Sequence, residues 1–118
     1  MQEHIRQLFS ENIQTMIAAG ESLSGPLENA AFVIVNNLVS GGKVICVGEG
    51  ATSALASHFS QLLLDQFETE RPCLPALALQ NHNNSLQHSH QQDYLARQIK
   101  ALGQSQDVLL VVSSSGNE

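Results

Sequence analysis

The chain has no tryptophan, one tyrosine and four phenylalanines among its 118 residues. An aromatic-rich β-sandwich core is therefore excluded. The apolar 42% of the sequence is mostly aliphatic and alanine, which suits helices packed on a sheet. Basic residues are also scarce: five Lys and Arg stand against eleven Asp and Glu, a formal net charge of −6. Direct binding to a nucleic acid backbone, which relies on Lys and Arg displacing counterions, is not expected. No apolar run approaches the ~20 residues that span a bilayer. The first residues, "MQEHIRQLFSENIQ", lack a basic segment followed by an apolar one, so no secretory signal is read and a cytoplasmic protein is expected. Cysteine is limited to Cys46 and Cys73. Both fall in apolar, strand-like runs and are read as free buried thiols rather than a disulfide.

What is present is ordered along the chain. Ile5, Leu8, Phe9, Ile13, Met16 and Ile17 recur at steps of three and four, the pattern of an amphipathic helix. "GESLSGP" reads as a break, with Ser24 to Pro26 starting a second helix that is apolar nearly all round to Ser40. The expected N-terminal helix pair covers 1–41. A single stripe of the second helix can lie on the sheet, so this region is expected to build a subunit interface. "SGG" at 40–42 ends it. "KVICVG" is a central parallel strand, and 52–67 is a helix that Thr52 or Ser53 could cap. "CLPALAL" at 73–79 is a second strand with Pro75 tolerable near its start or at an edge. The polar stretch holding His82, His88 and His90 is a loop, 92–102 a helix, and "DVLLVV" a third strand. The fold class is α/β: a layered parallel sheet with flanking helices, its three-strand part at 43–118. A last strand without a covering helix suggests that the chain is the N-terminal part of a longer domain.

Two glycine turns follow strands: "GEGATS", with Gly48, Gly50, Thr52 and Ser53, and "SSSGN", with Ser113, Ser114, Ser115, Gly116 and Asn117. Ligands of open α/β sheets bind at such carboxyl ends, and helix N-termini favour anions there. The same residues would also serve simply to make tight turns and caps. Glu49, in the middle of the first turn, would repel a phosphate unless it points away.

The "GEGATSALASHF" turn and helix, "FETERP", "LPALAL" and "DVLLVVSSSGN" resemble the SIS (sugar isomerase) domain. Within it they are similar to the phosphoheptose isomerase group, and most to a branch of it that associates with the DnaA replication initiator. The resemblance covers essentially the whole chain and implies a flavodoxin-like fold. It implies a homotetramer or dimer of dimers that loads DnaA in order at the origin, with no cofactor. The alternatives it leaves are a zinc-dependent sedoheptulose 7-phosphate isomerase and a sugar-phosphate sensor without turnover. In the isomerases the first-loop helix carries a His and, four residues on, a Glu, both zinc ligands and the Glu also a catalytic base. Here His58 holds the first position, a candidate metal ligand, and Leu62 the second. The catalytic set is therefore expected to be empty. Arg71 is read as structural or interfacial, with an anion from a neighbouring subunit as its functional alternative.

Overall fold

The computed structural model describes residues 1–80 and 91–116, apart from the side chains of 91–93. It contains α1 (Gln2–Val39), β1 (Val44–Gly48), α2 (Thr52–Leu64), β2 (Ala76–Ala78), α3 (Gln91–Leu102) and β3 (Val108–Val112). The chain divides into two compact units, Met1–Val33 and Ile34–Glu118.

The first unit is helix alone. The expected break at Ser24 to Pro26 does not occur; α1 runs through Pro26 as one 38-residue helix. Proline disfavours a helical predecessor because its ring collides with the preceding Cβ. The predecessor here is Gly25, which has none. The hydroxyls of Ser22 and Ser24 turn inward and donate to the carbonyls of Ala18 and Gly20, one turn back, so the sequence that reads as a cap is spent within the helix. No residue of α1 is fully buried.

In the second unit α1 ends in a Schellman turn. Gly42 N donates to Asn37 O at 2.8 Å and Gly41 N to Leu38 O at 3.1 Å, with Gly41 at φ 93°, the left-handed position that glycine fills without strain. Gly42 has a different reason: a Cβ there would lie 2.0 Å from Gln106 O.

The sheet is parallel, in the order β2-β1-β3. β1 is central and buried along its whole length, as its uninterrupted apolar run requires. Val44 and Cys46 point to one face, with Ala56 and Ala76 and with half-buried Ile34, Leu38, Phe59 and Leu63. Ile45 and Val47 point to the other, against Leu79, Leu95 and Ile99. Thus α2 covers one face and α3 the other, and the path from β2 to β3 crosses over β1. Burial raises the Cys46 thiol pKa.

Cys73 is exposed, contrary to its reading as a core thiol. β2 begins only at Ala76, since Pro72 and Pro75 flank Cys73 and keep that stretch out of the ladder. α2 stops at Leu64, short of the expected 67. Its last carbonyls are taken from outside: Gln61 O by Asp65 N, Leu62 O by Arg71 Nη2 at 2.5 Å, and Leu63 O by Arg71 Nη1 at 3.0 Å and Leu74 N at 2.9 Å.

Candidate functional site

β1 and β3 run side by side in register, Gly48 opposite Val112. The two glycine turns read from the sequence therefore leave the sheet as neighbours at its carboxyl edge. The chain departs from β1 toward α2 on one face and reaches β3 from α3 on the other, which makes this edge the topological switch point of the fold. The sequence placed both turns correctly, and the crossover joins residues more than sixty positions apart.

In the first turn, Gly48 is buried and a Cβ on it would stand 2.6 Å from Thr52 O; the helix start approaches the strand end that closely. Gly50 adopts φ 57°. Thr52 is 8% exposed. Its Oγ1 donates to Glu49 O at 2.7 Å and accepts from Glu49 N at 3.0 Å. Ser53 Oγ donates to Gly50 O at 2.7 Å. The backbone N–H groups of Thr52 and Ser53 go to the same two carbonyls, each at 3.2 Å. The N-cap position is Ala51, without a side-chain bond, so neither Thr52 nor Ser53 caps α2; both hydroxyls point back into the turn because the carbonyls of Glu49 and Gly50 lie nearer. A phosphate cradle offers these donors outward. Here they hold the turn itself. Glu49 is exposed.

In the second turn Gly116 is at φ 79° and its N–H donates to Ser113 Oγ at 2.8 Å. Ser113 is half-buried, and Ser114 and Ser115 are exposed. Asn117 lies outside the described residues, as do His82, His88 and His90.

His58 is exposed on α2, and Leu62, one turn on, is half-buried. Among the described residues no three His, Cys, Asp or Glu side chains gather where they could hold one metal ion. One imidazole and an isobutyl group do not by themselves make a zinc centre, which takes at least three protein ligands. Arg71, read as structural or interfacial, caps α2 as described.

A feature the sequence did not disclose lies at the opposite, amino end of the sheet. Lys43 and Asp107, which precede β1 and β3, form an ion pair of 2.6 Å. They line a cleft of about 310 Å³ together with Gly41, Gly42, Pro75, Gln104, Ser105 and Gln106. Its two charges are committed to each other. No described helix is long and apolar enough to cross a membrane.

The fold has counterparts among known proteins. The chain is 44% identical over 122 residues to the DnaA initiator-associating protein DiaA of Escherichia coli strain K12 / DH10B, covering 99% of this chain and 62% of the relative. The same figures hold for DiaA of Shigella boydii serotype 18. The chain thus spans about 62% of the length of these relatives. Among solved structures, a phosphoheptose isomerase from Francisella tularensis matches with a TM-score of 0.83 and 36% identity, over 93% of this chain and 60% of that one. Phosphoheptose isomerase GmhA from Neisseria gonorrhoeae matches with 0.81 and 30%, over 98% and 62%. Residues 8–118 match the SIS domain, and with the parallel sheet, the switch-point turns and these neighbours in agreement, the chain belongs to the SIS domain family.

Proposed function

We propose that this chain is part of a non-catalytic SIS-fold scaffold that assembles with itself, binds a DnaA-type initiator in the cytoplasm and promotes its ordered loading at a replication origin. The observation that carries the reading is Leu62. Isomerising a sugar phosphate needs a group that moves a proton between adjacent carbons. Leu62, in the position where the isomerase group has that carboxylate, cannot do so. The inward-turned hydroxyls of Thr52 and Ser53 and the likeness to DiaA support the same reading. Mechanistically, a symmetric scaffold raises the effective concentration of its partners. The acidic balance of the chain suits a protein partner better than DNA itself.

The direct test is surface plasmon resonance with the full-length protein immobilised and DnaA in solution, beside an isomerase assay with sedoheptulose 7-phosphate and added zinc. Saturable DnaA binding with no turnover is expected. Turnover within tenfold of an authentic phosphoheptose isomerase, or no DnaA binding at micromolar concentration, would overturn the proposal. A second reading, a sugar-phosphate sensor without turnover, rests on the surviving switch-point geometry of the two turns.

A further inference from the structure

We infer that Ser22–Pro26 forms a joint built into α1, at which the amino-terminal part of the helix bends away from its axis. The inference concerns the helix alone and holds whichever partner the protein carries.

Five residues between Gly20 and Pro26 weaken the helix. Pro26 has no N–H, so the Ser22 carbonyl one turn back lacks its helical donor, and the proline ring crowds that carbonyl. Gly20 and Gly25 carry the backbone entropy of residues without a Cβ, although a Cβ at either would meet nothing within 4 Å. No close approach within this unit accounts for them. The hydroxyls of Ser22 and Ser24 donate to the carbonyls of Ala18 and Gly20, a back-bonding that bends helices.

Among the described residues nothing braces this stretch from outside. Residues 20–33 are exposed throughout, and helices in proteins draw most of their stability from packing. No Lys or Arg occurs from residue 7 to residue 42, so no ion pair between successive turns can form there. The two ends of α1 differ. Glu3 pairs with Arg6 at 3.7 Å and Gln7 Nε2 donates to Glu11 Oε1 at 3.0 Å, while Ile34 and Leu38 pack against the core cluster of Val44 and Cys46. The helix is braced early and anchored late, and its weakest residues lie together in between.

The position gives the joint a use. Ile5, Leu8, Phe9, Ile13, Met16 and Ile17, all on its amino-terminal side, are 45–68% exposed. A bend at Ser22–Pro26 re-aims that apolar stripe as one rod and leaves the sheet and its two turns unchanged.

Hydrogen–deuterium exchange of the full-length protein reads the joint directly, since local opening sets the rate of each amide. Amides of residues 21–28 are expected to exchange about tenfold faster, or more, than those of 5–17 and 34–39. Equal rates in the three stretches would overturn the inference. Gly25→Ala/Pro26→Ala is expected to slow 21–28 by a similar factor and leave 44–48 unchanged; Pro26→Ala alone, which restores the donor to Ser22, should give part of that effect. Unchanged exchange in both variants would overturn the inference too. Bending, as opposed to unwinding in place, shows in distances. Spin labels on Ser10→Cys/Asn29→Cys in a Cys73→Ser background, diluted with unlabelled chain, stand ~29 Å apart along a straight helix. The intact joint is expected to give a broad distribution below that distance, which narrows to ~29 Å when Gly25 and Pro26 are both replaced by alanine. A narrow distribution at ~29 Å with the joint intact would overturn the bend.

Discussion

Asp107 accepts three hydrogen bonds across the amino end of the sheet, and Lys43 gives two of them. Lys43 Nζ lies 2.6 Å from Oδ2 and Lys43 N 3.0 Å from Oδ1, while Gln104 N reaches Oδ2 at 2.8 Å. A further bond of the clamp has another acceptor: Lys43 Nζ also donates to Leu102 O at 2.9 Å, where α3 ends. One contact pair therefore ties the starts of β1 and β3 to the loop between α3 and β3.

 The hydrogen bond from the Lys43 side chain, ahead of the two backbone donors, holds the Asp107 pKa below its ordinary value. A carboxylate whose folded pKa is depressed adds stability that is present above its unfolded pKa of ~3.9 and is lost as pH falls through the folded value. Asp107→Asn is therefore expected to lower the urea midpoint at pH 7. The gap to the unmodified protein should close as pH drops below ~4. A gap that stays constant from pH 7 to pH 2 would show that the carboxylate's charge contributes nothing.

The two glycines of the first turn should fail in different ways. Gly48→Ala drives a Cβ to 2.6 Å from a backbone carbonyl, which forces α2 away from β1; overpacking of this kind costs about 1–3 kcal/mol. Gly50→Ala meets open space and carries only the strain of a left-handed residue, about 1–2 kcal/mol. Gly50→Asn, which tolerates that conformation better, should recover part of the loss, whereas Gly48→Asn should recover none. Denaturant midpoints of the four variants decide it.

Both turns were legible because their signal is local: an apolar run and then a polar, glycine-bearing stretch, with a helical period after the first. The same holds for β1, β3 and the end of α1 at Gly41. Where the sequence misled, a local signal met a neighbour it could not specify. Gly25 and Pro26 carry the marks of a break, yet a predecessor without a Cβ lets the helix pass. Cys73 sits in an apolar run, yet two prolines hold it off the ladder. The Lys43–Asp107 pair joins residues 64 positions apart, and only the β1–β3 register brings them together.

Arg71 is expected to matter for stability through α2. Its guanidinium reaches the Leu62 and Leu63 carbonyls together, which an ammonium's point charge reproduces poorly. Arg71→Ala should destabilise the fold by about 2 kcal/mol, the usual range for hydrogen bonds from a charged group, and Arg71→Lys should restore less than half. Amide exchange at the α2 C-terminus should quicken in both. Unchanged exchange there would assign Arg71 to something other than the cap.

The last prediction separates an altered cradle from a lost one. Two residues of this chain bear on the isomerase chemistry: the carboxylate of Glu49 in the first turn and Leu62 on α2. They act on different steps. Glu49 bears on anion binding, since a carboxylate near a phosphate opposes it by Coulomb repulsion that a partly solvated site only weakens. Leu62 bears on turnover, since no proton can be moved there. Glu49→Asn is therefore expected to tighten sedoheptulose 7-phosphate binding several-fold in calorimetry of the full-length protein and to leave turnover at background. Leu62→Glu restores one carboxylate beside His58, but two ligands fall short of a zinc site, so it should restore no activity alone or with Glu49→Asn. Affinity that does not respond to Glu49→Asn would place that side chain away from the cradle. Isomerase activity in the double variant would show that the remaining machinery is intact, and Leu62 would then be the single change that silenced it.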